Sequence, residues 1–184
     1  NIYTPRQLIQ LFQRAYGQFT PGEDAWVNES GRYVDPFRPN IEPDGFSTLE
    51  ELNEDRRYHL GNVRRMFEEM DVFVFTLGLT EAWRSKDDGA VFPVCPGVAG
   101  GVFDESKYEF INFTVNEVID DLKNFFTLLR SVNADVKTIL TVSPVPLVAT
   151  AEGRHVLVST VYSKSVLRVA CEEVVRGNPA IAYF

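Results

Sequence analysis

The sequence predicts an α/β fold: a mostly parallel sheet in a three-layer α/β/α arrangement. Residues 71–77, 136–142 and 180–184 are short runs rich in β-branched or aromatic residues, as strands are. Between them, the segments at about 114–132 and 162–176 repeat apolar residues at helical spacing. Strands alternating with helices of this length imply right-handed crossovers and parallel neighbours. The chain has 184 residues, 45% apolar and 24% charged, which suits one globular domain and excludes wholesale disorder.

Thr4-Pro5-Arg6-Gln7 opens the first helix with a Thr cap, a Pro in the first turn and a Gln three residues after the cap. Leu8, Leu11, Phe12 and Ala15 follow on one face, and Gly17 closes it. Residues 18–46, with Pro21, Gly22, Gly31, Pro36, Pro39, Pro43 and Gly45, read as a long irregular excursion. Ser47-Thr48-Leu49-Glu50 is a second capping box, and Leu49, Leu52, Leu60, Val63, Phe67 and Met70 keep roughly one face of a helix that ends near Met70. The 71–77 run is apolar at nearly every position, as expected of a strand buried on both faces. After an irregular stretch from Arg84 to Phe113, Thr114 and Glu117 frame a third capping box. Its helix carries Val118, Ile119, Leu122, Phe125, Phe126 and Leu129 inward, and Asn133-Ala134-Asp135 turns the chain. Ser143-Pro144-Val145-Pro146 stops the next strand, and Gly177 ends the last helix.

Charge and composition exclude several functions. Lys and Arg total 18 against 26 Asp and Glu, a net charge of −8, which disfavours nucleic acid and anionic lipid surfaces. No apolar run approaches a membrane span, so no membrane association is expected. Cys95 and Cys171 are distant in sequence and suit a reducing compartment, so the cytoplasm is the expected location. With His59 and His155 as the two histidines and no zinc-ligand spacing, neither a metal nor another cofactor is expected. Gly97-Val-Ala-Gly100-Gly101 matches no phosphate-binding fingerprint.

In parallel sheets ligands bind at the carboxyl ends of strands, which directs attention to the residues after Leu77 and Val142. Gly78-Leu79-Thr80-Glu81-Ala82-Trp83 offers a tight turn, a hydroxyl, a carboxylate and an indole. The alternative is a strand-end turn in which Thr80 caps a helical turn and Trp83 packs. Ser143 faces the same crevice or forms a turn before Pro144. His155, at a helix entrance, is a candidate general base or a cap.

Several strings, in order and spacing, resemble the GSCFA family. They are Asn1-Ile-Tyr-Thr-Pro-Arg-Gln-Leu8, Val74-Phe-Thr-Leu-Gly78-Leu-Thr-Glu-Ala-Trp83, Phe92-Pro-Val-Cys-Pro96, Thr141-Val-Ser-Pro-Val145 and Tyr162-Ser-Lys-Ser-Val-Leu-Arg168. That family is similar to the SGNH, or GDSL-type, hydrolases, which include esterases and carbohydrate O-acyltransferases or deacetylases. The resemblance implies their flavodoxin-like fold, a Ser nucleophile in an N-terminal block, a Gly-x-Asn-type oxyanion turn and a C-terminal Asp-x-x-His. Gly78-Leu79-Thr80-Glu81 occupies the place of that turn, with Thr80 where the Asn would stand. The resemblance thereby implies an oxyanion role for Thr80, while position at the strand ends and at the helix entrance makes Glu81 a catalytic candidate and Gly78, Trp83, Ser143 and His155 candidate substrate contacts. The Gly-Ser-Cys-Phe-Ala string and the Asp-x-x-His do not occur in residues 1–184. The chain is therefore expected to be an internal segment of one domain, incomplete at both ends and inactive alone. The implied function is a hydrolase or acyltransferase acting on an ester, with O-acyl groups of a glycan as a substrate class. The alternative is a non-catalytic module that binds a glycan or a protein.

Overall fold

A computed structural model describes residues 2–184; Asn1, the first residue of the family-like opening string, lies outside the described residues. In chain order the elements are α1 (Pro5–Ala15), β1 (Trp26–Val27), β2 (Tyr33–Val34), α2 (Leu49–Glu69), β3 (Val72–Leu77) and β4 (Glu81–Ser85). Then come β5 (Val91–Phe92), β6 (Tyr108–Asn112), α3 (Val115–Val132), β7 (Lys137–Val142), α4 (Val156–Val175) and β8 (Ile181–Tyr183). Two compact units emerge, one of residues 10–65 and 82–111, the other of residues 2–9, 66–81 and 112–184.

The second unit holds the expected parallel sheet, in the order β3-β7-β8. Val72 pairs with Lys137 through to Leu77 with Val142, and Thr138 pairs with Ile181. α3 and α4 are the two crossovers and pack against each other. This α/β arrangement, an open parallel sheet flanked by helices, is consistent with a three-layer α/β/α fold. Phe73, Phe75, Leu77 and Leu140 are buried, and the Phe125 ring of α3 sits 5.4 Å from Phe73 and 5.9 Å from Phe67. The expectation that β3 is buried on both faces is corrected: Val72 and Val74 are 51% and 59% exposed. The strand alternates with period two, and its continuous apolar run hides that alternation.

Local signals set most boundaries. At α1, the Gln7 N–H donates to Thr4 Oγ1, and the Thr4 N–H donates back to Gln7 Oε1. α3 carries the full Thr114–Glu117 box. At α2 the box sits one residue later than the spacing predicts: Thr48 Oγ1 accepts the Glu51 N–H, and Glu51 Oε2 accepts the Thr48 N–H. Two overlapping Ser/Thr-x-x-Glu strings compete there, and Thr48–Glu51 prevails. α4 begins at Val156, six residues before the periodic stretch at Tyr162, and buries Ser159 and Ser163 beside Val166 and Leu167. Small hydroxyls in the buried stripe, next to a β-branched run, mask its helical period. Asn133 ties two helix ends together, since its N–H caps α3 and its Nδ2 donates to the α2-terminal carbonyls of Phe67 and Met70.

The first unit contains the whole 18–46 excursion expected to be irregular, within which β1 pairs with β2 antiparallel. β4 pairs antiparallel with β5 in a second three-stranded sheet, so Thr80 precedes a strand and not a helical turn. The Phe92 ring lies 5.2 Å from Trp26, 5.3 Å from Phe37 and 6.1 Å from Tyr108. The Gly-rich stretch at 97–101 has a packing explanation: a Cβ on Gly101, at φ +73°, would stand 3.0 Å from the Trp26 ring. Three arginines converge around the fully buried Asp35 carboxylate. Arg38 bonds it at 2.9 Å and also reaches Asp55, Arg56 approaches at 3.8 Å and holds Asp24, and Arg14 lies 3.9 Å over the Phe37 ring. Burial lowers the Arg14 guanidinium to about 10, with Asp35 the main charge opposing that shift.

Candidate functional site

The carboxyl edge of the parallel sheet is built from ladder geometry. β3 and β7 end in register at Leu77 and Val142, and the ladder runs one step further, with the Ser143 N–H donating to the Leu77 carbonyl at 2.9 Å. Ser143 thus follows β7 at the edge where Gly78 follows β3. Its hydroxyl accepts the Val145 N–H at 3.2 Å, a local turn bond before proline.

The Gly78–Glu81 turn is held from several sides. The Gly78 N–H donates to the Tyr3 carbonyl at 2.8 Å, and a Cβ on Gly78 would lie 2.8 Å from Tyr3 Cδ1, so only glycine fits this approach. The Gly78 carbonyl accepts from Lys164 Nζ at 2.5 Å. Thr80 is fully buried: its N–H donates to Ser163 Oγ at 2.9 Å, its carbonyl accepts the Phe113 N–H, and its hydroxyl lies 2.6 Å from Asn112 Oδ1. Glu152 accepts only, and its contact with Asn112 makes the amide nitrogen face Glu152 and the amide oxygen face Thr80. Glu152 further accepts from Ser159 at 2.9 Å and from Arg154 Nε at 2.6 Å, and Arg154 lies 5.1 Å from the Tyr162 ring centre. One polar chain therefore runs from Thr80 through Asn112 and Glu152 to Ser159 and Arg154.

The two carboxyls here are tuned in opposite directions. Hydrogen bonding, from Asn112 first and then Ser159 and Arg154, holds Glu152 below the ordinary range. Burial, reinforced by the Glu152 charge, raises Glu81 despite the bond that Thr150 Oγ1 donates to it at 2.7 Å. A raised folded-state pKa means that Glu81 favours the fold when protonated, and that this contribution fades as pH rises through the folded-state value. Glu81→Gln is accordingly expected to gain thermal stability relative to the native chain as pH climbs from 4 to 7. Melting curves of both proteins across that range check the sign, and a gain by the native chain would contradict it.

Other candidates have local roles. His155 is exposed and caps α4, its Nδ1 accepting the Leu157 N–H at 3.2 Å. Trp83 belongs to the first unit, packed edge-on against Phe103 and Phe110 at 5.4 and 5.7 Å. Burial raises both thiols, Cys171 to about 12, which leaves neither as an activated nucleophile. A cleft of about 360 Å³ in the first unit runs between residues 27–30 and 97–101, and none of the candidates lines it. Among the described residues, no cluster of His, Cys, Asp or Glu fits a metal ion, and no helix is long and apolar enough to cross a membrane.

In the sequence Ser163 and Lys164 stand out only as part of a family-like string, and nothing local marks Asn112. Their side chains meet the turn from 83, 86 and 32 residues away, a convergence no local spacing encodes. Neither the curated proteins nor the solved structures include a significant match. The family model that describes the GSCFA family matches residues 1–184, the whole length of the chain. With the opening, strand-end and helix strings all inside that match, the chain belongs to the GSCFA family.

Proposed function

We propose that this protein is an SGNH-like hydrolase or acyltransferase acting on an ester, with O-acyl groups of a glycan as its substrate class. The observation that carries this reading is the polar chain at the carboxyl edge, Thr80–Asn112–Glu152, buried at Thr80 and half-exposed at Asn112 and Glu152, whose dipoles are already oriented. Acyl transfer gains most from donors that need no reorganisation when a carbonyl oxygen becomes an oxyanion. Thr80 orients the Asn112 amide from beneath, and Glu81 is the group nearest in character to a proton-transfer carboxyl. Gly78, Ser143 and His155 flank the substrate. The nucleophile and the base that activates it come, in this reading, from residues other than these 184, since the Ser143 hydroxyl and His155 Nδ1 both serve local turns. That same engagement favours the second reading, a non-catalytic glycan- or protein-binding module, should the whole protein prove inert.

The whole protein is expected to hydrolyse an activated acetyl ester and to act on an acetylated glycan. Thr80→Ala should then lower kcat by about 10–1,000-fold with KM nearly unchanged, because the polar chain acts on the transition state. Inertness of the wild type towards both substrates defeats the ester reading. An active wild type with an unchanged Thr80→Ala kcat reassigns Thr80 to structure.

A further inference from the structure

Arg14 is a buried cation without a counter-ion. The residue sits in the last turn of α1 and is 9% exposed, yet among the described residues its side chain enters no ion pair and donates no hydrogen bond. What it touches is the Phe37 ring, whose centre lies 3.9 Å from the guanidinium carbon. An arginine near a helix C-terminus ordinarily extends into water or bonds the last carbonyls. Arg14 bonds none of them, and its place over Phe37 keeps most of it from water.

The neighbouring carboxylates are already engaged. One Asp35 oxygen accepts the Phe37 N–H at 2.9 Å, and the other accepts Arg38 at 2.9 Å with Arg56 Nε 3.8 Å away. Arg38 and Arg56 each hold a second, more exposed carboxylate, Asp55 at 2.6 Å and Asp24 at 2.8 Å. Arg14 feels the Asp35 charge as they do, but its second carboxylate is missing. Arg56 Nε, sealed from solvent and without an acceptor, marks the same shortage of oxygens in this cluster.

The aromatic contact does not replace an acceptor. A ring face offers a diffuse quadrupole and no lone pair, so the N–H donors of the guanidinium stay unmet. They are still within reach of a solute. Among the described residues the sealed side-chain nitrogens without a partner are Trp26 Nε1 and Arg56 Nε, and those of Arg14 are not among them.

We propose that Arg14 anchors a binding site for a carboxylate-bearing ligand, whose carboxylate takes the guanidinium edge while Phe37 backs its face. The planar fork forms two parallel N–H···O bonds with a carboxylate, and a monoanion matches the one cation that lacks a partner. The site lies within the first unit and does not depend on the ester reading.

The test follows melting and side-chain NMR of the whole protein at neutral pH and constant ionic strength, with acetate as the probe and phosphate as the comparison. With about 100 mM acetate in place of chloride, the wild type is expected to melt about 2–5 °C higher, the gain from a dissociation constant of about 10 mM. The Arg14 Nε–H resonance should shift along the same titration while that of Arg84, already paired with Glu109, stays in place. Arg14→Met, which keeps a stem over Phe37 and removes the charge, should lose the acetate gain, and Arg14→Lys, without the fork, should keep less than about half of it. No gain together with an unmoved Arg14 resonance overturns the proposal, and so does an equal gain in Arg14→Met, which marks a general salt effect. A response to phosphate with none to acetate overturns the carboxylate assignment. Should Arg14→Met not fold, the wild-type resonance decides, its shift supporting the site and its constancy overturning it.

Discussion

Asp35→Ala is expected to destabilise the protein by about 3–5 kcal/mol, the range for removing one partner of a buried ion pair. The Asp35 side chain is fully buried and accepts the Phe37 N–H at 2.9 Å as well as the Arg38 guanidinium. Alanine would leave Arg38 with Asp55 alone, Arg56 Nε without its nearest charge, and Arg14 against an aromatic face. A like-charged cluster in a half-desolvated site separates only by unfolding the excursion that carries Asp35, Phe37 and Arg38. Urea denaturation should show a lower midpoint at an unchanged slope. A loss under about 1 kcal/mol would mean that the three arginines are solvated in the native state and that the cluster is peripheral to stability. Asp35→Asn is expected to fall between the two, since it keeps an acceptor for the Phe37 N–H and loses the charge.

Gly78→Ala is expected to lower stability and activity together. Its Cβ would meet Tyr3 at 2.8 Å from Cδ1, 3.2 Å from Cβ and 3.3 Å from Cα. The Tyr3 ring can rotate away, but its Cα cannot, so the turn or the start of α1 must shift. Overpacking of this kind costs about 1–3 kcal/mol. The contacts at 3.2 and 3.3 Å call for a shift of a few tenths of an ångström, which is expected to cost the ester reaction about 10-fold in kcat as reacting groups lose part of their alignment. Stability is read by thermal melting and turnover on the activated ester. If stability falls while turnover holds, the turn has moved without consequence and lies outside the reacting geometry.

These outcomes bear on residues that the sequence exposes to very different degrees. The helices α1 and α3 are legible almost to the residue because a capping box and a helical apolar stripe are short-range signals, read within one or two turns of chain. The parallel order of β3, β7 and β8 is legible too, since strand–helix–strand units of this length have essentially one handedness. Thr80, Glu81 and Ser143 could be assigned to strand ends for the same reason.

Tertiary structure alone decided the rest. β3 reads as doubly buried yet shows Val72 and Val74 to solvent, because exposure depends on which faces other elements cover and not on the strand's own residues. Two helical turns of α4 are invisible to periodicity, as its buried stripe there is made of serines that find partners across the fold. Convergence is the least legible property of all. Ser163, Lys164 and Asn112 reach the strand-end turn, and the arginines surround Asp35, through side chains brought together by packing. Local propensity determines which elements form, but the partners of a polar side chain are chosen by desolvation, and desolvation exists only once the elements have packed.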